Sequence, residues 1–257
     1  MGGLMPGVLM RRRRERLLEL DPDLGDRLSP DELRDAQAQL LTPVARLEPG
    51  VWNPFPALRS DGTASILVLE GLLVREVVIA ETRWAELIGP GDLLELTDVD
   101  LGGPFLQVEF VCTVTEASRI ALLDARFTAM LAHWPGVNLS LVERLEQRFL
   151  RLSTQATICQ LPCVEARLLA LLWHLAERWG RIGPDGVILP LSLLHRTLAL
   201  LVGAQRPTVT LALKTLARAG LVLRREDGVW LLQGTLDEGL ARVSPRERAS
   251  AASFCVT

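Results

Sequence analysis

Basic residues in the C-terminal third are the side chains whose type and spacing point most clearly to chemistry. Six of them fall between residues 188 and 225, a stretch without Asp or Glu: Arg196, Arg206, Lys214, Arg218, Arg224 and Arg225. The remainder of the 257-residue chain then holds 22 basic against 31 acidic residues, although the net charge is only −3. A basic segment on an otherwise acidic protein is typical of a discrete module that binds nucleic-acid phosphates.

Cysteines are few and unevenly spaced: Cys112, Cys159, Cys163 and Cys255. Four are too few for a disulfide framework, and they lack the paired spacing of metal fingers. Cys159 and Cys163, four residues apart, could share a helix face as a redox or metal pair. Small buried thiols are the simpler interpretation.

Residues that could act as general acids, bases or metal ligands also form no motif. The three histidines are far apart in the sequence: His133, His174 and His195. Glu95, Asp98 and Asp100 cluster as paired acids would, but a solvated loop is the simpler interpretation. We therefore predict no catalytic residue, no metal site and no cofactor.

The segment from His195 to Lys214 has the residue types that two short, steeply crossed helices require. Ala199 supplies a small side chain at the crossing, and Gly203 suits a turn with positive φ. Pro207 belongs in a helix's first turn, so the second helix is predicted to begin at Arg206. Four residues are expected to face the shared core: Leu198, Val202, Val209 and Ala212.

The outer surface of this helix pair is the predicted DNA-binding site. Its residues are His195, Gln205, Arg206, Thr208, Thr210, Leu211 and Lys214. Such a helix enters the major groove with its N-terminus first, so Gln205 and Arg206 are best placed to reach bases. Thr208 and Lys214 are expected to hold phosphates. Residues 221–225 and 229–232 flank a Glu-Asp-Gly turn and predict a β-hairpin, the wing of a winged helix. An ordinary helical hairpin with chance matches is the alternative.

Upstream segments predict the elements that would support this module. Short β-prone runs at 65–69, 72–79 and 107–114 are separated by turn signals, which favours a β-sandwich or jelly roll.

An apolar residue then recurs at spacings of three and four, at Val142, Leu145, Phe149, Leu152 and Ala156. This heptad seam is either a dimer interface or a helix packed on its own domain. Residues Val164 to Trp179 predict a core helix.

Residues 203–210 (Gly-Ala-Gln-Arg-Pro-Thr-Val-Thr) and 216–222 (Leu-Ala-Arg-Ala-Gly-Leu-Val) resemble the C-terminal domain of the Crp–Fnr family. More weakly, Leu69-Glu70-Gly71 and residues 88–92 resemble two turns of that family's cyclic-nucleotide-binding jelly roll. The resemblance implies a β-rich sensor, a long dimerisation helix at the heptad seam, and a winged helix.

Three departures from the family pattern are informative. Members that bind cyclic AMP carry a phosphate cassette with an Arg beside Ser or Thr after the Gly-Asp turn, whereas residues 93–104 here are acidic and lack Arg. Arg119 comes later, but nothing ties it to a cassette. On the DNA side, Pro207 and Leu211 stand where the family commonly has a base-reading Glu and Arg, which implies a different target sequence. An iron–sulfur sensor would need cysteines near the N-terminus, and none precedes Cys112.

We therefore predict an α+β chain with an N-terminal double-stranded β-helix (a cyclic-nucleotide-binding-like jelly roll), a long dimerisation helix and a C-terminal winged helix-turn-helix. The predicted domains are a partly helical lead-in (1–45) whose Arg11–Arg14 run is a solvated tail, the jelly roll (46–132), the dimerisation helix (133–160), the winged helix (161–235) and a flexible tail (236–257).

The predicted function is sequence-specific binding of a palindromic operator by a homodimer, without control by cyclic AMP. Double-stranded DNA, a second copy of the chain and RNA polymerase are the candidate partners, and the small-molecule effector is unidentified. No apolar run has the roughly 18 uncharged residues of a membrane span. The N-terminal arginines follow an apolar run, the reverse of a secretory signal, so we predict a cytoplasmic protein without membrane contact. The alternative is a small-molecule-binding or enzymatic β-barrel whose C-terminal helices mediate association only.

Overall fold

A computed structural model describes residues 10–52, 63–95 and 105–243, and the chain divides after Leu150 into two compact units. Within the described ranges, the strands of the first unit are β1 (Met10–Arg16), β2 (Leu41–Leu47), β3 (Gly50–Trp52), β4 (Thr63–Glu70), β5 (Leu73–Ile79), β6 (Thr82–Ile88), β7 (Leu93–Glu95), β8 (Glu109–Val114) and β9 (Ser118–Asp124). They form two antiparallel sheets, in the orders β1-β2-β9-β4-β7 and β3-β8-β5-β6. This is the predicted jelly-roll architecture.

The helices of the first unit are α1 (Leu17–Leu20), α2 (Pro30–Gln39), α3 (Ala125–Leu131) and the long α4 (Pro135–Ile158), which runs past the boundary between the units. Side chains of β4 alternate between two cores. Ile66 and Val68 face the core between the sheets. Leu67 faces a second core, where Phe127 and Val137 pack with the N-terminal helices. Because both faces of β4 are buried, it appears in the sequence as an uninterrupted apolar run.

The predicted lead-in over residues 1–45 is corrected by the structure. β1 pairs with β2, and β2 pairs with β9, so both strands belong to the first sheet and the boundary predicted at residue 46 falls inside β2. The arginine run lies in β1 rather than in a solvated tail, and Arg14 pairs with Asp124 at 3.3 Å. β1 lies at the edge of the sheet, so its charged side chains can remain in water while its backbone forms hydrogen bonds with β2.

The second unit contains α5 (Val164–Trp179), β10 (Arg181–Gly183), β11 (Gly186–Leu189), α6 (His195–Val202), α7 (Arg206–Arg218), β12 (Val222–Arg224), β13 (Trp230–Leu232) and α8 (Leu236–Val243). The core helix predicted for residues 164–179 is present with the same bounds, and its Leu168, Leu169, Leu171 and Leu172 are fully buried. The four strands form one sheet in the order β10-β11-β13-β12, so the predicted wing hairpin is extended by a second one.

The predicted flexible tail is also corrected in part. Residues 236–243 form α8, which packs on α5 so closely that a Cβ on Gly239 would lie 2.6 Å from a methyl of Leu169. Val243 is buried at the end of α8. The rest of the predicted tail lies outside the described residues. Within those ranges, no helix is both long and apolar enough to cross a membrane.

Candidate nucleic-acid interface

The turn between α6 and α7 has the backbone conformation that the sequence predicts. Gly203 ends α6 in the left-handed region, with φ 61° and ψ 47°. The amides of Gly203 and Ala204 both donate to the carbonyl of Ala199, that of Ala204 at 2.9 Å, and these two hydrogen bonds close the end of the helix. A Cβ added to Gly203 would meet nothing within 4 Å, so the requirement for glycine is conformational rather than steric.

Helix α7 begins at Arg206, as predicted, with Gln205 as its N-cap residue and Pro207 in its first turn. Its inner face packs against α6. The four residues predicted for this shared core, Leu198, Val202, Val209 and Ala212, are all buried. The position of the buried residues fixes which side chains α7 presents outward.

Most predicted DNA contacts lie on that outward face. Gln205, Arg206, Thr208, Leu211 and Lys214 are exposed. Leu211 has 64% of its surface accessible and lies opposite the buried residues of the helix. The outer face of α7 therefore combines cationic ends, Arg206 and Lys214, with an apolar centre.

Thr210 and His195 are placed differently from the other predicted contacts. Both are half-buried, and the Thr210 hydroxyl lies 3.0 Å from Nδ1 of His195. The same hydroxyl donates to the carbonyl of Arg206 at 3.1 Å. These contacts join the start of α6 to the first turns of α7, so the two side chains help to fix the orientation of α7 relative to α6.

Arg224, in β12, is a basic residue that the predicted site did not include. Burial lowers the pKa of His195, and the positive charges of Arg224 and Arg206 lower it further, so these three side chains share one region of the unit. The Arg224 guanidinium lies 5.3 Å from the centre of the Trp230 ring, a cation–π arrangement that holds it on the wing. The sequence indicated Arg224 only through its place in the basic segment between residues 188 and 225.

The wing itself is a short hairpin. The amide of Arg225 donates to the carbonyl of Val229 at 2.8 Å, and that of Gly228 donates to the carbonyl of Arg225 at 3.0 Å. The predicted Glu-Asp-Gly turn therefore closes the hairpin between β12 and β13. Helix, turn, helix and wing follow in the order that winged DNA-binding domains use.

The predicted seam on α4 is largely uncovered. Val142, Leu145 and Phe149 are exposed, with 68% of Phe149 accessible, while Ala156 is exposed and Leu152 half-buried. Leu141, by contrast, is buried in the core of the first unit. The same helix thus packs against its domain with one face and leaves an apolar row on another.

The interior of the jelly roll holds a charged group that sequence reasoning missed, which we call the Glu86 cluster (Arg75, Glu86 and Arg148). Trp52, Cys112, Arg75 and Glu86 are paired in one row across the second sheet. Because Trp52 and Cys112 belong to the core between the sheets, Arg75 and Glu86 also face inward. The sequence signal for a charged group in this core was Arg75-Glu76, a charged pair within the otherwise apolar run 72–79.

Arg148 of α4 completes the Glu86 cluster. Its Nη2 and Nε donate to the Glu86 carboxylate at 2.8 and 3.3 Å, and its Nη1 donates to the carbonyl of Leu93 at 2.8 Å. Arg75 forms an ion pair with the same carboxylate. Burial lowers the pKa of Arg75 and raises the pKa of Cys112 to about 12, so that the thiol stays protonated.

Other residues considered from the sequence are engaged elsewhere. Arg119 forms ion pairs with Glu70 at 2.6 Å and with Glu15 at 3.1 Å. The thiols of Cys159 and Cys163 approach different carbonyls, those of Leu201 (3.5 Å) and Val243 (3.7 Å). The predicted acidic loop, with Asp98 and Asp100, lies outside the described residues.

Comparisons with known proteins agree with this geometry. Residues 166–234 match the Crp-like helix-turn-helix domain. A CooA variant from Carboxydothermus hydrogenoformans has a similar structure, with a TM-score of 0.64 and 20% identity over 92% of this chain and 99% of its own. A cyclic nucleotide-binding domain containing protein from Listeria monocytogenes has a TM-score of 0.62 and 17% identity over 85% of this chain and 98% of its own.

A CRP-family transcriptional regulator from Thermus thermophilus has a TM-score of 0.52 and 18% identity over 70% of this chain and 87% of its own. No curated protein matches the sequence. The predicted fold class and the resemblance to the Crp–Fnr family are confirmed, the latter by the match of residues 166–234 to the Crp-like helix-turn-helix domain.

Proposed function

We propose that this chain is a DNA-binding transcription regulator of the Crp–Fnr type, which binds a palindromic operator as a homodimer and reads it with the outer face of α7. The observation that carries the proposal is the exposure of Arg206 at the first position of α7, close to His195 and Arg224. The N-terminus of a recognition helix is the part that reaches furthest into the major groove.

Separate roles follow for the residues of this surface. Arg206 is the base reader, because a guanidinium at this place can donate two hydrogen bonds to one guanine. Gln205 is the second candidate for a base contact. Thr208 and Lys214 hold phosphates on either side of the groove, and Arg224 contacts the backbone beside the wing. His195 and Thr210 keep α7 in position, since their side chains already contact each other.

The homodimer is proposed from the exposed seam on α4. A row of large apolar side chains left in water is costly unless another surface covers it, and a heptad repeat is complementary to a second copy of itself. A two-fold symmetric dimer carries two copies of α7, one for each half-site of the operator. The half-sites of the operator would then lie about 34 Å apart, one helical turn of DNA.

We further propose that cyclic AMP does not control this chain through the family's phosphate cassette. Arg119 is held in ion pairs with two carboxylates, and the arginines of the Glu86 cluster are paired with Glu86. Titration calorimetry with cyclic AMP and cyclic GMP tests this point. Submillimolar binding to the full chain that is lost on Arg119→Ala, or on Arg126→Ala at the start of α3, would contradict it.

The alternative from the sequence was a β-barrel enzyme or binding protein whose C-terminal helices mediate association only. The outward, cationic N-terminus of α7 favours DNA instead, because association helices would bury their apolar centre rather than surround it with charge. We propose no enzymatic activity. A cytoplasmic location and contact with RNA polymerase remain predictions.

In vitro selection from a randomised duplex pool, with the full chain as bait, is the decisive experiment. We expect enrichment of a two-fold symmetric motif whose half-sites lie about 10 base pairs apart, and an affinity that falls steeply with salt. Failure to enrich any sequence would contradict specific binding. A single asymmetric half-site would contradict the homodimer.

A further inference from the structure

The centre of the outer face of α7 is apolar, which is unusual for a surface that reads DNA. Leu211 lies there with 64% of its surface accessible. The buried residues Val209, Ala212 and Leu216 define the opposite face. Pro207, one turn earlier, is also exposed and has no amide hydrogen to donate. Only Arg206 and Lys214, at the two ends of this stretch, add charge.

A leucine at this place can recognise one feature of the major groove. The base edges present hydrogen-bond donors and acceptors, and thymine also presents its C5 methyl group. Leucine forms no hydrogen bonds, so against any other edge it would remove water from polar atoms without replacing their partners. Against thymine it buries a methyl group on each side.

We propose that Leu211 selects a thymine in each operator half-site by packing on its C5 methyl group. This inference rests on the proposed function. Leu211 follows Arg206 by five residues, which corresponds to about 7.5 Å along the helix axis. Base pairs are stacked about 3.4 Å apart, so for a helix that runs along the groove the selected thymine is expected about two base pairs from the base that Arg206 reads.

Uracil is the probe for this contact, because it differs from thymine only by the missing methyl group. Each thymine of a selected duplex is replaced in turn by deoxyuridine, and affinity is measured by fluorescence anisotropy at fixed salt. For the wild-type chain we expect one position per half-site at which uracil weakens binding about fourfold, the effect of exposing one methyl group. Replacement in both half-sites should weaken binding about sixteenfold.

The variant Leu211→Ala should bind the thymine and uracil duplexes equally at that position. Ile182→Ala is the matched control, because Ile182 is 95% exposed on β10, at the opposite edge of the sheet from β12. This control should keep the fourfold discrimination of the wild type. A melting temperature equal to that of the wild type shows that each variant is folded.

Two results would overturn the inference while leaving the proposed function intact. One is a specific duplex in which no uracil replacement weakens binding. The other is a uracil effect of equal size in the wild type and in Leu211→Ala, which would assign the methyl contact to another side chain. If no specific duplex is recovered at all, the proposed function itself fails, and the two failures are therefore distinguishable.

Discussion

Replacing Arg148 by methionine tests the energetic importance of the Glu86 cluster. The Arg148 side chain is 13% exposed, that of Glu86 is 4% exposed, and three hydrogen bonds depend on this guanidinium. Removing one partner of a buried ion pair costs about 3–5 kcal/mol. The unsatisfied Leu93 carbonyl adds about 1–3 kcal/mol. Because Arg75 still pairs with Glu86, we expect a net loss of about 3 kcal/mol in the free energy of unfolding.

A second variant, Glu86→Gln, should lower the free energy of unfolding by more than Arg148→Met does. Glu86→Gln removes the carboxylate between two arginines, so both positive charges stay buried without a counter-ion. The expected loss in the free energy of unfolding is therefore about 4 kcal/mol or above. The control is Arg34→Met, because the ion pair of Arg34 with Asp31 is exposed (74% and 87%). Its loss should change the free energy of unfolding by about 0.5 kcal/mol or less.

Differential scanning calorimetry of the full chain is the appropriate assay, because the two units can unfold in separate transitions. For a unit of this size, 1 kcal/mol corresponds to about 2–4 °C. Arg148→Met should lower the melting temperature of the first unit by about 6–12 °C without moving that of the second. A shift no larger than that of Arg34→Met would refute the reasoning. A milder effect of Glu86→Gln than of Arg148→Met would do so as well.

Three further predictions concern the DNA-binding unit and the seam. Arg206→Ala should cost about 1–3 kcal/mol on the selected duplex and relax preference at one base pair per half-site; equal weakening on random DNA would reassign Arg206 to a phosphate. The double variant Leu145→Glu, Phe149→Glu should be monomeric at micromolar concentration in sedimentation velocity, because it places charges in the seam; a persistent dimer would show that this seam is not the interface. Burial lowers the pKa of His174, so its contribution to stability is present above about pH 6.5 and is lost as pH falls through the lower folded-state pKa. Urea unfolding at pH 7.5 and 5 should show a smaller pH dependence for His174→Gln than for the wild type, and an unchanged dependence would contradict this assignment.

The helix-turn-helix was predictable to within a residue because its determinants are local. Gly203 is needed for a left-handed backbone conformation, and Pro207 is tolerated only in a helix's first turn. Both constraints act within a few positions of the residue concerned. The start of α7 at Arg206 follows from them without knowledge of the rest of the chain.

Other parts could not be predicted because their partners are distant in sequence. β1 consists mostly of charged residues, and it is a strand because its backbone pairs with β2, about thirty residues further along. The position of α8 depends on the absence of a side chain at Gly239, where Leu169 approaches. Arg148 and Glu86 lie 62 residues apart, and neither has a local pattern that marks it as buried.

Helix α4 explains why a heptad pattern alone left two interpretations open. Leu141, Arg144 and Arg148 lie on one face, where Leu141 is buried and the two arginines pair with Asp21 and Glu86. Each is directly followed by a seam residue, Val142, Leu145 or Phe149. Successive residues in a helix are rotated by about 100°, so the two rows are separated by that angle. The arginine pairs fix the rotation of α4 and thereby hold the seam outward, where a second chain can reach it.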